Sequence, residues 1–175
     1  RNREALRLAH EALELDPHDG ADVRFTAAYA YAKLEDEAGL DALVAHVQAT
    51  GRARPSDDAW TLLARIALAH KRCDFEAANA LLDRILNTYP HAAEALIRQM
   101  ELPDGVFSRL AAAPYSEDEL ILAVSECTVL TQEGVDPQGR GVLGTWIARE
   151  TARKRPQAML AVVASDVPMQ EGGQA

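Results

Sequence analysis

Cysteine and aromatic residues are scarce in this sequence. Only two of the 175 residues are cysteine, and aromatic residues make up 5%. Cys73 and Cys127 lie far apart and outside any paired motif, so neither a disulfide framework nor a structural zinc site is expected. We expect two reduced thiols. No apolar run approaches the ~20 residues that a membrane-spanning helix needs, which predicts no membrane association.

Basic residues are also fewer than acidic ones. The chain has 18 Lys and Arg against 27 Asp and Glu, giving a formal net charge of -9. An acidic surface repels phosphate backbones, so nucleic acid is not expected as a partner. The N-terminus "RNREALRLAH" carries charges throughout and lacks the apolar core of a signal peptide. With the reduced thiols, these features predict a soluble, cytoplasmic protein.

Alanine and leucine dominate the composition, and stretches rich in β-branched residues are few. This composition predicts an all-α fold. The first helix has Ala5, Ala9 and Ala12 on one face, with Leu8 and Leu15 beside them. It should end at Asp16-Pro17, because proline disfavours the helical conformation of the residue before it. A similar ending recurs in "AANALLDRILNTYP" at Pro90.

Further helical segments lie between these two endings. "ADVRFTAAYAYAKL" is predicted to be capped by Asp22, and "AGLDALVAHVQATG" to be closed by Gly51. The next segment, "SDDAWTLLARIALAHKR", should be capped by Ser56 or Asp57. Its acidic first turn and basic last turn complement the helix dipole at both ends.

Within this last segment, "AWTLLARIA" places Trp60, Leu63, Ala64 and Ala67 at the W-x2-L-G-x2-Y spacing of a tetratricopeptide repeat. "DFEAANALLDRILNTYP" continues the pattern to Pro90. Residues 1–100 therefore resemble the tetratricopeptide-repeat (TPR) family. The resemblance implies a right-handed superhelical array of antiparallel helical hairpins, in which Trp60 wedges between its own hairpin and the preceding one.

The resemblance divides the repeat region into three parts. Residues 1–17 correspond to the second helix of a truncated repeat, residues 20–55 to a degenerate repeat, and residues 57–90 to the clearest one. A chain that opens on a second helix is expected to be a piece of a longer protein. Its exposed first helix is a candidate surface for self-association.

Beyond residue 100 the repeat pattern decays. Residues 101–155 are predicted to form atypical helices that cap the array. One begins at Ser116, where "SEDE" has the form of a capping box with Glu119, and a last long helix ends before Pro156. Residues 156–175 form an extension, partly disordered, in which "AMLAVVASDV" is either a short strand or a packed helix.

Motifs that would carry chemistry are weak. "GRGVLG" has the G-x-G-x-x-G spacing, but no strand precedes it, which favours a glycine-bearing turn with Gly144 permitting close packing. His70 and Cys73 are three residues apart, but Lys71 and Arg72 would repel a cation. We therefore expect no catalytic residues, no cofactor and no metal.

The resemblance also implies which side chains face a concave groove. These are Arg24, Tyr31, Arg65 and Leu68, with Arg98 extending the row. The arginines suit an acidic peptide or carboxylate, although they are equally compatible with solvated residues or with ion pairs to neighbouring helices. The predicted function is a scaffold or adaptor that binds another protein or peptide. The alternative is a sensor domain that binds a small ligand or peptide and controls an attached effector.

Overall fold

The computed structural model describes residues 1–50, 57–99, 112–134 and 141–165. Every regular element in these segments is a helix, so the all-α prediction is confirmed. The helices are α1 (Asn2–Leu15), α2 (Val23–Leu34), α3 (Glu37–Ala49), α4 (Ala59–Lys71), α5 (Phe75–Thr88), α6 (Ala92–Ile97), α7 (Glu117–Glu126), α8 (Thr128–Thr131), α9 (Val142–Lys154) and α10 (Pro156–Ser165).

Short polar side chains begin four of these helices. Asp36, Asp58, Asp74 and Ser116 each accept a hydrogen bond from the backbone N–H three residues later, which satisfies one of the free donors of a first turn. The predicted cap of α4 is corrected by one position. Asp58 caps it, while Asp57 faces Arg84 and Tyr115 instead.

The start of α2 also differs from the prediction. Asp22 has a left-handed backbone conformation, and its side chain makes no cap bond. Asp19 caps the helix from four residues upstream, with its Oδ1 accepting from the Val23 N–H at 2.6 Å. The sequence predicted Asp22 because it immediately precedes the helix. In the structure, the turn of residues 16–22 places the Asp19 carboxylate at the first turn of α2 instead.

The first helix ends at Leu15, as Asp16-Pro17 predicts. Of Ala5, Ala9 and Ala12 on the predicted face only Ala9 is buried, together with Leu6 and Leu13, while Leu8 and Leu15 are exposed. Both faces carry apolar residues at helical spacing, so periodicity alone cannot say which of them meets α2.

Two hairpins form the centre of the molecule. Helix α2 packs against α3, α4 packs against α5, and α2 and α4 lie against each other, with α1 on the remaining side of α2. Trp60 stacks on Phe25 of α2 at a centroid distance of 3.8 Å. This contact agrees with the predicted wedge of Trp60 against the preceding hairpin.

The C-terminal helices return to these hairpins. Helix α7 packs on α4 and α6, α8 packs on α2 and α9, and α10 packs on α6 and α9. One continuous set of buried residues joins Leu6 to Ile147. A linear array has contacts only between neighbouring repeats, so the contact of α8 with α2 is a departure from it.

The superhelix and the domain boundaries stay predictions. Of the predicted extension, residues 156–165 form α10 and residues 166–175 lie outside the described part.

Candidate functional site

Three of the five side chains predicted to line the groove are buried. Arg24, Tyr31 and Leu68 retain only 4%, 6% and 2% of their exposure. The Arg24 guanidinium pairs with Asp19 at 2.9 Å and lies over the Phe25 ring. These placements correct the expectation that the three face an open groove.

Tyr31 and Leu68 are held inside the molecule by different contacts. The Tyr31 hydroxyl lies 2.5 Å from Nε2 of His10 on α1, and partial burial raises the pKa of the phenol. Leu68 belongs to the shared apolar core. Both residues therefore join helices to one another, which is a structural role.

The two remaining candidates lie closer to the surface. Arg65 pairs with Asp41 of α3 at 2.7 Å, which matches the alternative in which the arginines serve neighbouring helices. Arg98 ends α6 and is partly buried. The structure does not bring the five residues together on one exposed face.

Helices α7 and α8 cover the part of α2 and α4 that carries Tyr29 and Trp60, neither of which was predicted to line the groove. The Tyr29 hydroxyl donates to the Ala123 carbonyl at 2.7 Å, and Nε1 of Trp60 donates to Glu126 at 2.8 Å. Burial is the main cause that raises the pKa of Tyr29 well above its usual value. Helix α7 thus meets α2 and α4 through hydrogen bonds inside an apolar core.

Glu119 is the most connected side chain of this junction. It is 1% exposed, and its Oε1 accepts from the Ala59 N–H at 3.2 Å and from the Tyr89 hydroxyl. Its Oε2 accepts from the Tyr115 N–H. Only half of the predicted capping box is therefore confirmed. The Ser116 hydroxyl accepts from the Glu119 N–H, but the Glu119 carboxylate accepts from Ala59, Tyr89 and Tyr115. The capping-box motif does not predict that Glu119 accepts hydrogen bonds from Ala59 and Tyr89.

A second carboxylate is buried beside Glu119. Asp58 is 4% exposed, and burial raises its pKa to about 6, opposed by the bonds from Thr61 and by the Arg24 charge. The start of α4 thus holds two carboxylates away from water. Both accept bonds from backbone N–H groups there, which is the favourable end of the helix dipole.

A cluster of partly buried charges lies at the opposite end of α4. Glu133, just after α8, pairs with Lys33 at 3.2 Å and Lys71 at 3.1 Å. Lys33 also donates to the Val129 carbonyl. These lysines lower the pKa of Glu133 against the effect of its burial. The cluster attaches α8 to the C-terminal ends of α2 and α4.

Beside this covered face, a groove runs along α1 and α2 and is open to solvent. Its apolar part encloses about 440 Å³. That part is lined by uncharged residues: Ala5, Leu8, Ala9, Ala12, Ala21, Val23, Thr26, Ala27 and Ala30. Leu8 is 52% exposed at its edge. We refer to these nine residues as the α1–α2 groove.

The groove continues into a more polar cavity of about 590 Å³ towards α8. The two share Ala5, Thr26 and Ala30. Lys33 and Glu126 supply opposite charges to the cavity lining. The sequence did not predict either part, because apolar residues on both faces of α1 leave open which face is covered by α2.

The motifs considered for chemistry have structural explanations. A Cβ on Gly141 would lie 2.1 Å from the Thr131 carbonyl oxygen, and one on Gly144 would lie 2.8 Å from the same atom. These glycines let the start of α9 approach the end of α8, as predicted for Gly144. His70 packs beside the rings of Phe75 and Trp146.

Among the described residues, no group of three or more His, Cys, Asp or Glu side chains is arranged to hold a metal ion. Cys73 and Cys127 are free thiols, and burial raises the pKa of Cys127 to about 12. None of the helices in the described segments combines the length and the apolar character needed to cross a bilayer.

Comparison of the chain with protein-family models, with curated proteins and with solved structures gave no significant match. The TPR resemblance therefore stays a prediction. What the structure itself defines is an all-α protein with a covered α2–α4 face and an open groove between α1 and α2.

Proposed function

We propose that the chain is a protein–protein interaction module that binds a partner segment in the α1–α2 groove. The observation that carries this proposal is the groove itself, an uncharged concave surface of about 440 Å³ with Leu8 exposed at its rim. We prefer this site to the concave face suggested by the sequence, because Arg24, Tyr31 and Leu68 of that face are buried.

The dimensions of the groove suit a short helix. It follows α2 from Val23 to Ala30, which is about 10 Å at the helical rise. Lining alanines let a second backbone approach closely, and an amphipathic segment would place its apolar residues there. The role is that of a scaffold or adaptor, in the cytoplasm and without catalysis, and nucleic acid is not proposed as a partner.

Site-specific crosslinking tests the proposal. A photo-reactive amino acid is placed at Leu8, and in a matched control at Val142, an exposed apolar residue on α9 that does not line the groove. We expect a discrete crosslinked protein from Leu8 and none from Val142. Equal or absent crosslinking at the two positions would contradict the proposal.

A second candidate function is a sensor domain, favoured by the cavity beside Lys33 and Glu126. Its volume of about 590 Å³ lies in the range of small-molecule sites. A zwitterion such as an amino acid would compete there with Glu133 for Lys33 and with Trp60 for Glu126. Thermal unfolding with and without free amino acids tests this candidate, and an unchanged midpoint with all of them would reject it.

A further inference from the structure

Helix α10 is apolar on both its inner and its outer face. Its ten residues, "PQAMLAVVAS", contain no charged side chain. Ala158 and Val162 are buried, consistent with the packing of α10 on α6 and α9. On the other face Met159, Leu160 and Val163 are 40%, 70% and 51% exposed. A helix that is hydrophobic all round is normally covered on all sides, whereas within residues 1–50, 57–99, 112–134 and 141–165 these three side chains stay exposed.

We propose that the α1–α2 groove of one molecule binds the outer face of α10 of a second copy. This inference rests on the proposed function, because it names the occupant of the same groove. The exposed apolar side chains of α10 run from Met159 to Val163, about 6 Å of helix, which fits within the roughly 10 Å that the groove follows along α2. Large side chains on the helix meet small ones in the groove, so the two surfaces can interdigitate.

The charges beside the two surfaces are complementary. Arg149 and Arg153, on α9 just before α10, are 69% and 64% exposed and share one internal partner, Glu150, which leaves this surface with a net positive charge. The last turns of α1 carry the exposed acidic residues Glu11 and Glu14. If α10 lies antiparallel to α1, its basic N-terminal side faces the acidic C-terminal side of α1, and the two helix dipoles oppose each other favourably.

The proposed contact joins two different surfaces. Within one molecule α10 contacts α6 and α9, whereas α1 contacts α2, so the helix does not occupy its own groove. A contact of this kind is heterologous, and it produces rings or open chains of copies rather than a symmetric pair.

Two variants separate the two halves of the contact. Leu8→Glu places a charge in the groove and leaves α10 intact, while Leu160→Glu alters α10 and leaves the groove intact. Both residues are more than half exposed, so both variants should fold, which circular dichroism melts would verify. Val142→Glu is the matched control, since Val142 is also an exposed apolar residue outside both surfaces.

Mass measurement by sedimentation equilibrium gives the result. We expect the parent chain and Val142→Glu to associate as concentration rises, and each of the other two variants to stay at the 19.0 kDa of one chain. An equimolar mixture of Leu8→Glu and Leu160→Glu should form a dimer of twice that mass, because one intact groove meets one intact helix. A symmetric contact would not give this result.

The inference is overturned if the parent is monomeric at every soluble concentration, if Leu8→Glu still associates alone, or if the mixture remains monomeric. These outcomes are distinguishable from failure of the proposed function. A monomeric parent that still crosslinks another protein from Leu8 would keep the groove as an interaction site and reject α10 as its occupant.

Discussion

Helices α4 and α10 are both apolar, yet their surroundings differ. Helix α4 lies against α2, α5 and α7, and nine of its thirteen residues are buried. Helix α10 lies against α6 and α9 and leaves three large apolar side chains in solvent. The difference shows that α4 forms the centre of the core, whereas α10 lies at the boundary of the described part of the molecule.

The largest expected effect concerns Trp60, the largest buried side chain of α4. Trp60→Ala removes the stack on Phe25 and the donor to Glu126. We expect a loss on the order of 3–5 kcal/mol in the free energy of unfolding, measured by urea denaturation. Trp60→Phe is the control that keeps an aromatic ring without the N–H donor. A midpoint equal to that of the parent would contradict the enclosed position of α4.

A second test examines how α7 is attached to α4. Glu119→Ala leaves the Ala59 N–H and the Tyr89 hydroxyl without an acceptor inside the core. Because an unsatisfied buried polar group costs about 1–3 kcal/mol, we expect a loss of that order. Exposed Glu117, on the same helix, supplies the control Glu117→Ala. Equal melting of the two variants would contradict the role of Glu119.

The parts of this arrangement that the sequence predicts are those with local causes. Asp16-Pro17 ends α1 and Ser116 begins α7, because neighbouring backbone groups decide both. The groove positions of Tyr31 and Leu68 were wrong because α1 and the core cover them. That burial depends on packing between distant segments, as in the Tyr29–Ala123 bond across 94 positions, which a local pattern does not encode.

A third test uses pH at the start of α4. The pKa of Asp58 is about 6 in the folded protein, above the ordinary 3.8, so the folded state binds this proton more tightly than the unfolded chain does. The stabilisation from protonation is complete below about pH 4 and is lost as the pH rises through about 6. Asp58→Asn keeps an acceptor for the Thr61 N–H and removes the titration.

We therefore expect Asp58→Asn to be more stable than the parent at about pH 7, by on the order of 2 kcal/mol, and equal to it at about pH 4. Chemical denaturation of both proteins across this range measures the difference. Comparing the two proteins cancels the opposite trend of groups with lowered pKa values, such as Asp57 and Glu133. A difference that does not change with pH would show that Asp58 is not a buried carboxylate.

The smallest expected effect is that of Arg65→Ala, which changes a partly exposed residue of α4. Arg65 pairs with Asp41, and their side chains are 30% and 54% exposed. Exposed ion pairs contribute about 0–1 kcal/mol, so Arg65→Ala should unfold at nearly the same urea concentration as the parent. Partner binding adds a second readout. Loss of crosslinking from Leu8 in Arg65→Ala would favour the concave face predicted from the sequence, whereas unchanged crosslinking places recognition in the α1–α2 groove, which Arg65 does not line.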